Sequence, residues 1–290
     1  MRSSLPARRT AIASWLAVAA GLAVATALPL RAQRAGQSPD TVEIQSGTLR
    51  LRGLLWRPDG PGPFPAVLFN HGSGPAGYPL RPDRIALGPV FPRHGYVFLF
   101  LFARGAGLSA QEGANSFDVM RRALEERGQE ARNQVQLRRL ETDDLDDALA
   151  GLAFLRAVRG VDPRRVAVAG HSFGGSLTLL LAERDSTLRA AVVYGAAGGS
   201  WERSPPLRQR LRAAVSRGVV PVFFAYAAND YSTAAGRTLA GDMVRLRKRH
   251  RLEIYPAVGE TVEAGHDLVY RAASVWERDV FAFLNEYVRK

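Results

Sequence analysis

Five stretches of this chain are apolar almost from end to end: FPAVLFN (Phe64–Asn70), YVFLFLF (Tyr96–Phe102), VAVAG (Val166–Gly170), AAVVYG (Ala190–Gly195) and VPVFFAY (Val220–Tyr226). A strand with one wet face alternates apolar and polar residues, so unbroken runs of this length describe strands covered on both sides. Helical patterns lie between them. The clearest is the stripe Leu145, Leu149, Leu152, Leu155 with Val158, behind the starter Thr142–Asp144. RLEIYP (Arg251–Pro256) adds a last strand, and Thr41–Pro58 reads as two strands around the turn Ser46-Gly47. Strands alternating with helices imply an α/β domain: a mostly parallel twisted sheet, helices on both faces, and an N-terminal antiparallel hairpin. In such sheets ligands gather beyond the carboxyl ends of the strands, so reactive residues are expected just after strands.

Ser172 meets that condition. It stands in Gly170-His171-Ser172-Phe173-Gly174, between the strand Val166–Ala169 and the helical pattern Gly175–Arg184. A Gly-x-Ser-x-Gly segment in this setting holds the serine on a sharp turn, its hydroxyl exposed, with glycines leaving room for the bend. The following helix start aims free amides at the place where an oxyanion would form. The pattern occurs once, against about 0.15 occurrences expected by chance.

A serine hydroxyl needs a base to take its proton. The chain has five histidines, and only His250 and His266 follow Ser172. His250 lies in the basic run RLRKRHR and is expected to be solvated, whereas His266, in EAGHDLVYR after the last strand, is the candidate base. His171 adjoins the nucleophile and reads as packing. An acid must hold the imidazole tautomer. Glu183, Asp185 and Asp242 fall on helices or at their ends, Glu253 falls within a strand, and Glu202 comes one strand early. Asp230, in AYAANDYST after the run Val220–Tyr226, is the candidate acid, with Glu260 and Glu263 on the histidine loop in reserve. Ser172, Asp230, His266 is the chain order expected of this architecture.

A second oxyanion donor is expected from the loop after the third strand, NHGSG (Asn70–Gly74), where amides near Ser73 would join that of Phe173. The same loop contains a decoy. GSGPAG (Gly72–Gly77) matches the dinucleotide fingerprint, but Pro75 and Pro79 interrupt the helix it requires, and the next strand ends FARGAG without an acid.

FPAVLFNHGSG, ARGAGLS, VDPRRVAVAGHSFGG, AAND and GHD together resemble the α/β-hydrolase superfamily, and within it the dienelactone-hydrolase-like branch of small esterases. The resemblance implies Ser172 as nucleophile, Asp230 as acid, His266 as base, and Ser73 with Phe173 as oxyanion donors. Dienelactone hydrolases carry a cysteine where this chain has Ser172, and related enzymes often have aspartate where Phe102-Ala103 stand. The expected activity is carboxylic ester hydrolysis through an acyl-serine, on a small-molecule substrate and without metal or cofactor. No His-Glu-x-x-His or Gly-Lys-Ser/Thr segment points elsewhere. The alternatives are a small peptidase or amidase on the same residues, and a catalytically silent binding protein of the same fold.

The opening residues carry other signals. Arg2, Arg8 and Arg9 precede an uncharged stretch, Ala11–Leu30, and Leu30-Arg31-Ala32 offers a cleavage point. That is the pattern of a signal peptide over residues 1–32 and implies export to a periplasm or the medium. The alternative is an uncleaved anchor, for which this alanine-rich stretch is a weak spanning helix. Residues 33–40 read as a polar tether and 41–290 as one domain. The net charge is +12, and the leader's four arginines take it to +8. Arginines are dispersed rather than clustered, so no nucleic-acid partner is expected; the densest run, Arg245–Arg251, is placed at a helix end, where cations complement the dipole. With no cysteine, the chain has neither disulfides nor a thiol nucleophile. Finally, residues 113–140 interrupt a connection far longer than the usual βα loop. Phe117, Met120 and Leu124 share one face there, Gly128 breaks the pattern, and the segment is expected to be a lid insertion.

Overall fold

The computed structural model describes residues 38–289, so the expected leader (1–32) and residues 33–37 of the tether lie outside the described residues. Strands β1 (Asp40–Ser46) and β2 (Leu49–Trp56) form the hairpin, and β3 (Phe64–Asn70) follows. Two single-turn helices, α1 (Pro82–Ile85) and α2 (Val90–Arg93), lead into β4 (Val97–Phe102). Next come α3 (Ser116–Glu141), α4 (Asp143–Ala157), β5 (Val161–His171) and α5 (Phe173–Arg184). The second half alternates β6 (Ala191–Tyr194), α6 (Pro205–Arg217), β7 (Val222–Ala227), α7 (Ala234–Arg245) and β8 (His250–Tyr255). Short α8 (Val262–His266) and α9 (Leu268–Arg271) precede α10 (Ala273–Val288).

The eight strands lie in the order β1-β2-β4-β3-β5-β6-β7-β8. The β1–β2 and β2–β4 pairs are antiparallel, and every pair from β4 to β8 is parallel. Helices cover both faces, which is why the central strands could be apolar throughout. In β4, Val97, Leu99 and Leu101 join the core beneath α4 and α5, while Phe98, Phe100 and Phe102 join the core beneath α2 and α10. Successive side chains of a strand must point to opposite faces. The leucine-rich face meets the leucines of α4 to α6; the aromatic face meets Phe91, Trp276 and Phe281.

Three details depart from the sequence pattern. β5 begins at Val161 rather than Val166, with a register irregularity opposite Phe64 and Ala66. The run Arg245–Arg251 straddles the turn from α7 into β8, and Lys248 donates to the carbonyls of Val215, Ser216 and Gly218, capping α6 rather than its own helix. His250 is half-buried in β8, its Nδ1 bonded to the Lys248 carbonyl, rather than solvated. Among the described residues no helix is long and apolar enough to cross a membrane.

Phe98 stacks on Phe91 with ring centroids 4.0 Å apart, and both are fully buried at the centre of the aromatic face. Phe98→Ala removes that contact and leaves a cavity, so it should cost about 3–5 kcal/mol in urea-unfolding free energy. A loss under about 1 kcal/mol would mean the face repacks and carries little of the fold's stability.

Candidate active site

The site begins with the end of β5. Parallel pairing to β3 and β6 fixes that end on both sides, and only Ser172 separates it from the start of α5, so the chain must reverse within that residue. Ser172 takes φ 56° and ψ −117°, a conformation that L residues adopt only where the surroundings impose it. The Ser172 amide donates to the Tyr194 carbonyl at 2.8 Å, pinning the bend to β6. A side chain at Gly174 would overlap the Asn70 and His71 carbonyl oxygens, so glycine there lets the end of β3 close against α5.

That closure brings Ser73, after β3, and Phe173, first residue of α5, to the wall of one groove with Ser172 and His266. As the first helical residue, Phe173 has an amide without an intrahelical acceptor. The groove has a volume of about 360 Å³.

His266 is the last residue of α8, whose start is capped by the Thr261 hydroxyl accepting from the Ala264 amide at 3.1 Å. Its Nε2 lies 2.8 Å from Ser172 Oγ and its Nδ1 2.8 Å from Asp230 Oδ1. A carboxylate can only accept, so Nδ1 carries the proton and the Nε2 lone pair faces the serine hydroxyl. The Asp230 side chain is 1% exposed. Gly195, at φ 55°, and Gly198 leave room for it; a Cβ at either would press on the carboxylate and on the His266 ring. Glu260 and Glu263 are exposed, and neither is hydrogen-bonded to His266; Glu263 instead accepts from the Tyr231 hydroxyl at 3.2 Å.

Sequence reasoning passed over Asn229. Its amide group donates to the carbonyls of Val258 (3.1 Å) and Thr261 (2.9 Å), and its oxygen accepts from the Val258 amide at 2.9 Å. One side chain thus ties the loop carrying Asp230 to the loop carrying His266. The only sequence signal was an Asn next to the acid in a post-strand loop, a residue able to substitute for backbone partners. His71 was passed over too. Its Nδ1 donates to the Gly72 carbonyl at 2.8 Å and its Nε2 accepts from the Ala103 amide at 3.2 Å, joining the oxyanion-side loop to the end of β4.

Residues 113–140 are built differently from the expected short amphipathic roof. Helical turns continue on both sides of Gly128, which breaks the geometry at φ 82°. Met120 is 3% exposed in the leucine-rich core, because this face of α3 packs on α4 and α5. Phe117 lines a small cavity of about 30 Å³ behind Ser73 and Phe173, and Leu124 faces solvent. The residues of α3 on the groove wall are Arg132 and Gln136.

Four arginines and two carboxylates line the groove. Arg84 is paired with Asp267 at 2.7 Å, and its guanidinium lies over the Tyr270 ring. Arg132 and Arg203 line the same groove with no carboxylate partner among the described residues: Arg132 bonds Gln136 (2.8 Å) and Ser200 (3.4 Å), and Arg203 bonds the Gly199 carbonyl. Burial, together with the Arg203 charge, holds the Arg132 pKa below its ordinary value.

The dienelactone hydrolase family model matches residues 51–288. Among curated proteins, the quorum-quenching protein AidA of Acinetobacter baumannii (strain MDR-ZJ06) is 26% identical over 156 residues, 54% of this chain and 43% of that protein. The polyketide transferase grgF of Penicillium sp is 26% identical over 207 residues, 69% of this chain and 61% of that protein. The chain therefore matches about half the length of these relatives. Est1E from Butyrivibrio proteoclasticus superimposes with a TM-score of 0.58 at 15% identity, covering 86% of this chain and 99% of that one. Pyrococcus horikoshii acylaminoacyl peptidase superimposes at 0.60 and 17% identity, covering 87% of this chain and 42% of that one. At such identities the likeness is one of fold, and the fold is that of the α/β hydrolases.

Burial holds the His71 pKa down to about 4, so the folded state favours the neutral ring. The unfolded chain binds a proton near the ordinary 6.5, so stability tied to this residue is complete above that pH and is lost as pH falls through 6.5 toward 4. The window corresponds to on the order of 3 kcal/mol. His71→Gln should flatten the fall in unfolding free energy between pH 7.5 and pH 4.5; an unchanged slope would place the acid sensitivity elsewhere.

Proposed function

The chain belongs to the dienelactone hydrolase family, and on that premise we propose that it is a serine hydrolase cleaving carboxylic esters through an acyl-serine intermediate. The observation that carries the reading is the unbroken relay from Asp230 through His266 to Ser172, both contacts 2.8 Å, opening on a groove that holds two candidate oxyanion amides. In this reading Ser172 Oγ attacks the ester carbonyl as His266 Nε2 takes the hydroxyl proton. The carbonyl electrons move onto oxygen, which the amides of Ser73 and Phe173 stabilise. Collapse expels the alcohol, protonated by His266, and leaves Ser172 acylated. Water then repeats the sequence with His266 as base, releasing the acid and restoring the serine. Asp230 holds the Nδ1–H tautomer and stabilises the imidazolium formed in both steps.

Ser172→Ala should lower kcat for a p-nitrophenyl ester by a factor on the order of 10⁴–10⁶ with the fold intact, and Asp230→Asn by on the order of 10³–10⁴. A folded Ser172→Ala protein with near-normal turnover would place the chemistry elsewhere.

The same reading extends to substrate charge. Arg132 and Arg203 are two guanidiniums on the groove wall without carboxylate partners among the described residues, so an ester bearing a free carboxylate gains partners that water otherwise supplies. A monoester of a dicarboxylic acid should therefore show a higher kcat/KM than the neutral ester of the same length. Replacing both arginines by glutamine should reduce that preference by about tenfold or more, mostly in KM. Equal loss on charged and neutral esters would mean the arginines only shape the wall.

A further inference from the structure

We propose that His171, the residue before the nucleophile, is a positioning residue that holds the base His266 in register with Ser172; the proposal rests on the serine-hydrolase reading above. His171 ends β5, is 0% exposed, and makes more than packing contacts. Its ring lies beneath the histidine loop, with centroids 4.7 Å from that of His266 and 5.0 Å, edge to face, from that of Tyr270. Its Nε2 is 2.9 Å from the backbone carbonyl oxygen of His266. A carbonyl can only accept, so Nε2 carries the proton and donates. Nδ1 is then a bare lone pair, buried without a partner and closed in by the backbone at Gly72, where a Cβ would stand 2.8 Å from it.

The consequence is mechanical. Ser172 is joined to His171 by a peptide bond, and His171 is locked into β5 opposite Tyr194. The backbone of His266 hangs from the same imidazole. Nucleophile and base, 94 residues apart in sequence, thus share one support, and the 2.8 Å contact between them is referred to it. Other ties hold the histidine loop at other points: Asn229 holds the carbonyls of Val258 and Thr261, Asp230 holds the His266 side chain, and Arg84 holds the carboxylate of Asp267. Of these ties, the His171 bond is the one that fixes the His266 main chain itself. The ring must also remain neutral, because an imidazolium there would oppose the one that His266 becomes during acylation. Burial and the neighbouring His266 hold the His171 pKa well below its ordinary value. A misplacement of a reacting group by about 1 Å is enough to cost on the order of 10²-fold in rate.

The test has two parts. On the full wild-type chain, long-range ¹H–¹⁵N spectra of the histidine side chains should show His171 as the Nε2–H tautomer, without titration between about pH 5 and pH 9. An Nδ1–H tautomer could not donate to the His266 carbonyl, and a ring that titrates in this range would contradict the neutrality the site requires; either result would overturn the proposal. In kinetics, His171→Phe and His171→Leu fill the slot without a donor. They should lower kcat by about 10–100-fold with KM nearly unchanged. His171→Gln, which restores an N–H near the Nε2 position, should recover most of the loss. Folded Phe and Leu variants with wild-type kcat would reduce His171 to a packing residue and refute the proposal, whatever their melting temperatures. If neither folds, the tautomer and the Gln variant decide: near-wild-type kcat in Gln supports the proposal, and a loss as large as 100-fold refutes it. Full activity in Ser172→Ala would instead refute the serine-hydrolase reading, and is scored separately.

Discussion

Everything at the candidate site hangs on one strained residue. Ser172 sits at φ 56° between a strand paired on both sides and a helix that begins immediately after it. Such a conformation costs of order 1–3 kcal/mol and persists only where the surroundings over-determine it. Here they do: the amide of Ser172 is fixed to Tyr194, Gly174 admits the end of β3 against the helix, and the buried leucines of α5 anchor the helix axis. The same bend sets Ser172 at the sheet's carboxyl edge directly before the first amides of α5, so the candidate nucleophile and one candidate oxyanion amide come from one backbone constraint.

Around that fixed point, partners arrive on loops that the sheet does not hold, and buried polar contacts supply the missing order. Asn229 ties the acid loop to the histidine loop, His171 reaches the His266 carbonyl, and Arg84 reaches Asp267 from under two tyrosines. On the opposite flank Asp147 accepts from Ser46 and from Arg104, while Asp144 accepts from Ser116 and Arg139 and so binds both ends of α3 to α4. Burial pushes the Asp144 pKa up to about 6. Removing one partner from such a network leaves a buried charge uncompensated, which costs more than any single bond in it contributes.

The sheet was legible because doubly covered strands must be apolar throughout, and that pattern survives any detail of the loops. Ser172, Asp230 and His266 could be named because the architecture confines reactive groups to post-strand positions, and five histidines left few choices of base. What escaped was polar burial. Arg139 and Gln136 sit in a stretch whose mixed charges describe a solvated surface, yet both are buried, Arg139 against Asp143 and Asp144 and Gln136 against Ser200. Met120 was assigned to a pocket roof from its helical face, but periodicity says which residues share a face and not what that face meets. His171 was read as packing for a related reason: its donor role depends on a carbonyl 95 residues away, which no local pattern encodes.

The central claim is that Ser172 is activated, and active-site-directed labelling reads this without knowledge of the natural substrate. A fluorophosphonate incubated with the folded protein, followed by proteolysis and mass mapping, should place one adduct per chain on the peptide containing Ser172. His266→Ala should abolish that adduct while the protein remains folded. No labelling of the wild type, or an adduct on another serine, would contradict the account.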